Sequence, residues 1–428
     1  MTTSRSVDVL VVGAGPAGLA AAARLAAAGA GRVEVLEREQ QAGGVPRHCA
    51  HGGFGTWTRP LTGPRYARLL TEAAERAGAV LRTGTTVLDW AGTGPDPAGG
   101  PACPGPAGPG ARPVLTAVGP GGPETIEARA VVLATGARER PRTARLVPGT
   151  RPDGVYTTGE LQQAVHLFGQ DIGARAVVVG AEDVSYAAAA TVRAAGAEVV
   201  ALVTEHPRAQ TGRARARSVR LCHGVPLLTD STVAELLGRG RLSGVRVRHR
   251  DGRTAVLSCD TVVFTGDFVP DHELARRGGL TLDPGTRGPA VDGALHTSRP
   301  GVFAAGNVLH AVERAGTAAG EGAGAAGAVL DFLAGTRWPA PGLPLAVEAP
   351  LRWIAPNRIT PAVPPARYVL RTSTPLTRPV LRIHQNGRLL HSERPSLGTV
   401  LPNRPLTLTA RWTGGVDPEG GGVRVSLA

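Results

Sequence analysis

The amino-acid sequence predicts an α/β chain with two glycine-looped βαβ units and a small all-β domain toward its C-terminal end. Three observations carry that reading. The apolar residues 7–12 lead at once into Gly13-Ala14-Gly15-Pro16-Ala17-Gly18, an Ala-rich helical stretch and a second apolar run, residues 33–36, that stops at Glu37. A second strand–glycine–helix–strand pattern runs through residues 176–179, Gly180, a helical stretch at 183–195 and residues 199–203. Beyond the Pro/Gly linker at 338–344 the apolar periodicity switches to two.

Each element has a local reason. In the first unit Gly13 makes the tight turn, Gly15 lets the backbone approach a pyrophosphate, and Gly18 permits close packing of helix on strand. The helix start supplies amide donors and positive potential to phosphate. Glu37 follows at about the 20-residue distance expected of the acid that binds an adenosine ribose. The pattern is therefore Rossmann-like. The second unit departs from it. Gly180-Ala181-Glu182-Asp183-Val184-Ser185 keeps the first glycine and a small third position but places Glu182 where the second glycine belongs. Glu205 stands where it would serve a ribose as Glu37 does. Arg208, Arg213, Arg215, Arg217 and Arg220 follow, to be read either as a 2′-phosphate site or as a solvated basic face. A nucleotide-binding fold is expected here, while its use of NAD(P) stays open. Further strands are expected at 130–133, running into Ala134-Thr135-Gly136, and at 301–305, running into Gly306-Asn307 and a Gly/Ala-rich helix to about Leu333. Period-two runs at 368–371, 380–384, 389–391, 406–412 and 423–427, with a hairpin signal at Asn386-Gly387, predict a β-sandwich-like domain.

Composition narrows the chemistry. The chain has 428 residues and a formal net charge of +13, and its basic residues are all arginine. Without lysine there is no Schiff base and no Walker-type phosphate lysine. Aromatic residues make up 4% of the chain and do not interleave with the arginines, so no nucleic-acid partner is expected. Cys49, Cys103, Cys222 and Cys259 show no CxxC spacing, which predicts neither a disulfide framework nor a metal site. The apolar stretch at 9–28 is broken by glycines, Pro16 and Arg24, so neither a transmembrane segment nor a signal peptide is expected, and the sequence reads as cytoplasmic. Residues 92–113, rich in Pro and Gly, are expected to form a disordered loop carrying Cys103.

The Gly13–Gly18 motif, the Ala134-Thr135-Gly136 turn and Val302-Phe303-Ala304-Ala305-Gly306-Asn307 together resemble the two-dinucleotide-domain flavoproteins related to pyridine nucleotide–disulfide oxidoreductases. Gly43-Gly44-Val45-Pro46-Arg47-His48-Cys49-Ala50-His51 with Phe54-Gly55 is similar to the branch that includes the α subunits of opine oxidases, hydrogen cyanide synthase and proline dehydrogenases. The resemblance implies an FAD-binding domain split over residues 1–155 and 290–337. An NAD(P)-type domain at 156–289 lies between the halves, and the β domain at 345–428 follows. It further implies that Gly13, Gly15, Ala17, Gly18, Glu37, Arg38, Gly44, Val87, Ala134, Thr135, Gly136, Gly306 and Asn307 surround FAD. Asn307 stands where the wider family carries an Asp, and the helix beyond it would aim its N-terminus at the flavin.

Where the disulfide reductases of that family place two redox cysteines, this chain has one, Cys49, so a dithiol mechanism is excluded. Cys49 and His51 are the catalytic candidates. Cys49 is a thiol with redox duty or a packing residue, and His51 a substrate contact or general base. The function implied is FAD-dependent hydride transfer with a small amine- or amino-acid-type substrate. The chain would work together with a small iron–sulfur protein and a partner flavoprotein subunit. The alternatives are a stand-alone NAD(P)H-dependent flavin reductase and a non-catalytic electron-transfer subunit.

Overall fold

The computed structural model describes residues 3–91, 112–311, 313–395 and 398–428 and, apart from residues 218–220, their side chains. Cys103 and most of the Pro/Gly stretch at 92–113 lie outside the described residues. The elements that matter below are, in chain order, β1 (Thr3–Val12), α1 (Pro16–Ala27), β2 (Val33–Leu36), β3 (Gly122–Leu133), α2 (Thr158–His166), β4 (Arg175–Val179), α3 (Asp183–Ala194), β5 (Glu198–Val203), β6 (Thr261–Phe264), β7 (Val302–Ala304), α4 (Asn307–His310) and α5 (Ala315–Leu333).

The chain forms two compact units. One comprises Met1–Gly44, Arg65–Ala137 and Pro270–Ala428, and the other Val45–Pro64 and Arg138–Val269. In the first, β1 pairs in parallel with β2 and β3, and β7 with the end of β3. A parallel strand, Val80–Arg82, and an antiparallel pair, Val114–Gly119 and Thr86–Trp90, complete a seven-stranded sheet. Its central strands read as continuous apolar runs because they are covered on both faces. Val9, Leu10 and Val11 of β1 and Val131 and Val132 of β3 are fully buried, packed with Leu19 and Leu25 of α1. Arg5 on β1, Glu34 on β2, Glu124 on β3 and Arg82 on Val80–Arg82 form a charge network that Arg32 joins through Glu34 at 3.6 Å, so the two buried acids have paired cations.

The stretch expected as one helix from Asn307 is two, α4 and α5. Of the glycines in α5, Gly322 has a packing reason, since a Cβ there would collide with the carbonyl of Ala17 in α1. Gly316, Gly320, Gly324 and Gly327 face open space, and the helix runs unbroken through them at a propensity cost of about 1 kcal/mol each against Ala. The same unit carries the C-terminal strands, among the described residues, as a sheet of five strands, a sheet of three and the short antiparallel pair Leu376–Thr377 with Thr399–Val400. They enclose a core of their own that includes Leu345, Ile354, Tyr368, Leu381 and Val425. Asn386 and Gly387 both adopt positive φ, 50° and 77°, as a type I′ hairpin requires.

The second unit has an all-parallel sheet in the order Val155–Thr157, β6, β4, β5, Leu227–Leu228, followed by an antiparallel meander from Ser231 to Leu257. Val45–Pro64, placed by the sequence pattern with the first glycine motif, groups by contacts with this unit. No helix among the described residues is long and apolar enough to cross a membrane.

Candidate FAD site

The first glycine loop is open. Gly13 (φ 103°) closes the turn, its amide on the carbonyl of Leu36 at 2.8 Å, and a Cβ at Gly18 would strike the Gly13 carbonyl. Gly15 opens α1 as its N-cap with no side-chain cap bond and no acid in the first turn, and nothing stands within 4 Å of where its Cβ would be. A helix start with uncapped amides and clear space beside its cap glycine is what a pyrophosphate needs. Gly44 (φ 60°) crosses directly over it, a Cβ there coming within 2.9 Å of Gly15 Cα, while the Gly43 amide holds the Ala14 carbonyl at 2.8 Å. Glu37 is buried at the end of β2. Its Oε2 accepts the Ala14 amide at 2.9 Å and its Oε1 the Glu39 amide at 3.0 Å, fixing the carboxylate beside the loop with lone pairs left for hydroxyl donors.

The next turn is brought alongside by Asp271, a residue that no local sequence signal marks. Thr135 Oγ1 donates to the Asp271 carbonyl at 2.7 Å, the Asp271 amide donates to Gly136 at 2.9 Å, and its carboxylate lies 3.7 Å from the exposed Arg38 guanidinium. Ala134 is buried, its amide bonded to Val12 at 2.9 Å. Gly306 (φ 81°) sits with its would-be Cβ 2.6 Å from the Cβ of Ala17, so the turn after β7 presses on the start of α1. Val87, half-buried in Thr86–Trp90, packs on the core of this unit. Asn307 has a different set of partners from the one expected. Its amide oxygen accepts the Glu313 N–H and its amide nitrogen donates to the Glu313 carbonyl, both at 3.2 Å. An aspartate could accept the first bond but could not donate the second. These residues fit the dinucleotide half of FAD.

The catalytic candidates lie in the second unit. Cys49 is buried, its Sγ 3.4 Å from the Val45 carbonyl and 3.3 Å from Gln162 Oε1. Desolvation, with Glu139 adding to it, pushes the thiol up to about 12. A thiol so placed is protonated at neutral pH, and its geometry is that of a packing residue rather than a nucleophile. His51 sits on the loop beyond, its Nδ1 2.7 Å from the Gly52 carbonyl and its ring 5.6 Å from Phe54. Among the described residues no cluster of three or more His, Cys, Asp or Glu side chains could hold a metal.

The second glycine loop is closed. Gly180 (φ 134°) makes the expected turn after β4, but the Glu182 carboxylate folds back into the loop. Its Oε2 accepts the Ala181 amide at 3.2 Å, and its Oε1 occupies the place a Cβ on Gly266 would take. The Glu182 amide is itself taken by Ser185 Oγ at 3.2 Å, and Asp183 puts a further acid into the first turn. Arg145, bonded to the carbonyls of Thr265 (3.1 Å) and Gly266 (2.7 Å), supplies the nearby positive charge. Desolvation raises the Glu182 pKa, so the obstacle is first one of occupied space and occupied amides, and like-charge repulsion comes second. Glu205 is exposed beyond β5 and pairs with His206 at 3.8 Å. Arg208, Arg213, Arg215 and Arg217 are exposed, Arg215 lying 3.7 Å from Asp183; the Arg220 side chain lies outside the described residues.

An open dinucleotide loop at β1–α1, on the same chain as a second βαβ unit, is the plan of a protein with two dinucleotide-type folds, of which the first is free to take a ligand. Comparison with known proteins agrees. Residues 107–322 match the pyridine nucleotide-disulphide oxidoreductase family and residues 8–81 an FAD-binding domain. The chain belongs to the pyridine nucleotide-disulphide oxidoreductases, and it is an FAD-dependent oxidoreductase. It is 31% identical to a ferredoxin–NADP reductase of Salinispora tropica, over 71% of this chain and 86% of that protein. It is 31% identical to the alpha chain of a Corynebacterium sarcosine oxidase and 29% identical to an opine oxidase subunit of Rhizobium meliloti, over 64% and 70% of this chain. It spans 28% and 58% of those two proteins' own lengths. Among solved structures, the thioredoxin reductase of T. acidophilum superposes with a TM-score of 0.61 at 24% identity, over 77% of this chain and 99% of that one, and shares the fold.

Proposed function

We propose that this chain moves a hydride between FAD and a small amine- or amino-acid-type substrate, as one subunit of a heteromeric dehydrogenase or oxidase, without a nicotinamide nucleotide in its second unit. The observation that carries the reading is the contrast between the two glycine loops. Each loop has one amide held by a carboxylate, Ala14 by Glu37 and Ala181 by Glu182, but Gly15 leaves the start of α1 uncapped and the space beside it clear, whereas Glu182 fills the second loop with its own side chain. Bound FAD supplies the two-electron acceptor. Gly13, Gly15 and Gly18 cradle its pyrophosphate, Glu37 and Arg38 meet the ADP half, and Gly44, Ala134, Thr135, Gly136, Gly306 and Asn307 close around the rest. With the nicotinamide entry shut, the reducing equivalents come from a substrate C–H, in keeping with the amine substrates in the names of the sarcosine and opine oxidases. They leave to a partner flavoprotein subunit or a small iron–sulfur protein.

A second reading, an NAD(P)H-dependent reductase acting alone, is favoured by the ferredoxin–NADP reductase relative, most of whose length this chain covers. Anaerobic mixing of the FAD-loaded chain with NADH, NADPH and a panel of secondary amines and N-alkyl amino acids separates the two. Bleaching of the flavin by an amine and not by either nucleotide supports the proposal. Rapid bleaching by a nucleotide gives the second reading, and bleaching by neither gives an electron-transfer subunit.

A further inference from the structure

Two chains of contact run from the C-terminal strands to the Gly306-Asn307 turn, and they start from different residues. Arg371, on the strand Arg367–Thr372, forms an ion pair with Glu313 in which the side chains are 4% and 5% exposed. The main chain of Glu313 is in turn held at both its N–H and its carbonyl by the Asn307 side chain. Trp353, on the strand Leu351–Ala355, stacks on the buried ring of His310 at 5.6 Å and 27°. His310 Nε2 lies 2.8 Å from Glu321 Oε1, and Glu321 Oε2 accepts the Gly306 amide at 3.0 Å. The Arg371 guanidinium covers the Trp353 ring at 5.1 Å, which joins the two routes. Both end on the turn that presses against Ala17 at the start of α1.

This arrangement is energetically unfavourable in one respect. A buried ion pair loses hydration that its mutual attraction seldom offsets, so its presence argues for geometry more than for stability. Arg371 Nε has no hydrogen-bond partner among the described residues, and burial lowers the Arg371 pKa despite Glu313. What the pair does hold is Glu313, just before α5. Glu313 is fixed by its side chain from the β domain and by its backbone from Asn307, which engages both ends of the Asn307 amide.

We propose that Arg371 is a positioning residue of the FAD site: through Glu313 and Asn307, the C-terminal β domain sets the Gly306-Asn307 turn in the conformation that receives the cofactor. The proposal deepens the function given above and rests on reading that turn as part of the FAD site. It assigns to the β domain a duty in cofactor binding, and it accounts for Asn rather than Asp at 307.

The test uses the full chain and reads FAD dissociation constant, thermal midpoint of the apoprotein and flavin midpoint potential in Arg371→Met, Asn307→Asp and the double variant Arg371→Met/Glu313→Gln. Each is expected to bind FAD about tenfold more weakly or worse, the scale on which outer hydrogen-bonded partners tune a bound group. Arg371→Met leaves a buried carboxylate unpaired and lowers the apoprotein midpoint, whereas the double variant, with no unpaired charge, regains it but not the FAD affinity. Recovery of affinity together with stability in the double variant would overturn the proposal, because Arg371 would then act on the fold alone. Wild-type affinity in Asn307→Asp would overturn it as well. A wild-type chain that takes up no FAD would instead overturn the flavin reading of the turn on which the proposal stands.

Discussion

Glu182 Oε2 and the Ala181 amide, 3.2 Å apart and adjacent in sequence, close the second glycine loop upon itself. The loop keeps the turn, the helix and the flanking parallel strands of a dinucleotide domain, and it satisfies its donors internally. At the first loop the corresponding position is Gly15, with nothing near its missing side chain. The Ala14 amide of the first loop is also held by a carboxylate, that of Glu37, so what separates the two loops is the space, clear beside Gly15 and filled by the Glu182 side chain in the second.

The Glu37 carboxylate is anchored by the amides of Ala14 and Glu39. Glu37→Ala should weaken FAD retention by about 1.5–3 kcal/mol, the range for hydrogen bonds to a charged group. That is roughly 10- to 150-fold in dissociation constant, measurable by fluorescence of released flavin. Unchanged retention would remove Glu37 from the site.

Cys49 is expected to be a bystander. Held against Val45 and Gln162 with its pKa pushed to about 12, it should resist thiol reagents in the folded chain, and Cys49→Ser should leave flavin reduction within a few-fold of wild type. A loss of about 10²-fold, near 2.7 kcal/mol of barrier, would show that the thiol takes part.

Glu139 makes stability depend on pH. Desolvation pushes its carboxyl up to about 7, against the pull of the Gly159 and Gly266 amides at 3.1 and 3.0 Å and of Arg145. An unfolded glutamate titrates near 4.3, so between about 4.3 and 7 the folded chain keeps a proton the unfolded chain has released. Its contribution is therefore present at low pH and is lost as pH rises through about 7, by on the order of 1–3 kcal/mol. Urea unfolding at pH 5.5 and 8 should show the decline, and Glu139→Gln should flatten it. An equal slope in the variant would assign the dependence elsewhere.

The parts of this architecture that are legible in the sequence are those fixed by backbone geometry at short range. Gly13, Gly15 and Gly18 are set by one turn and one helix packing, and Asn386-Gly387 by one hairpin, so local spacing suffices to find them. Glu182 is legible for the same reason, as a side chain where a bound pyrophosphate would leave room for none, but its charge suggests repulsion and the structure shows occupancy. The Val45–Pro64 segment carries no local mark of the unit with which it packs. Asp271 joins Arg38 to Thr135, and Arg371 reaches Glu313, across separations that no periodicity encodes. Asn307 reads in the sequence as a substituted Asp because its reciprocal partner, the Glu313 backbone, is chosen by the break between α4 and α5 and not by residue type.

The most direct test is titration of NADPH and NADH into the FAD-loaded wild-type chain and into Glu182→Gly. Removal of the side chain frees the Ala181 amide and the space beside Gly266, so the variant should bind nucleotide more tightly by roughly tenfold to several-hundredfold, about 1.4–3.5 kcal/mol, with FAD content unchanged. The wild type should show dissociation constants above about 0.1 mM, weaker than about 5.5 kcal/mol. Low-micromolar binding of either nucleotide by the wild type, unaltered in the variant, would contradict the account at its centre.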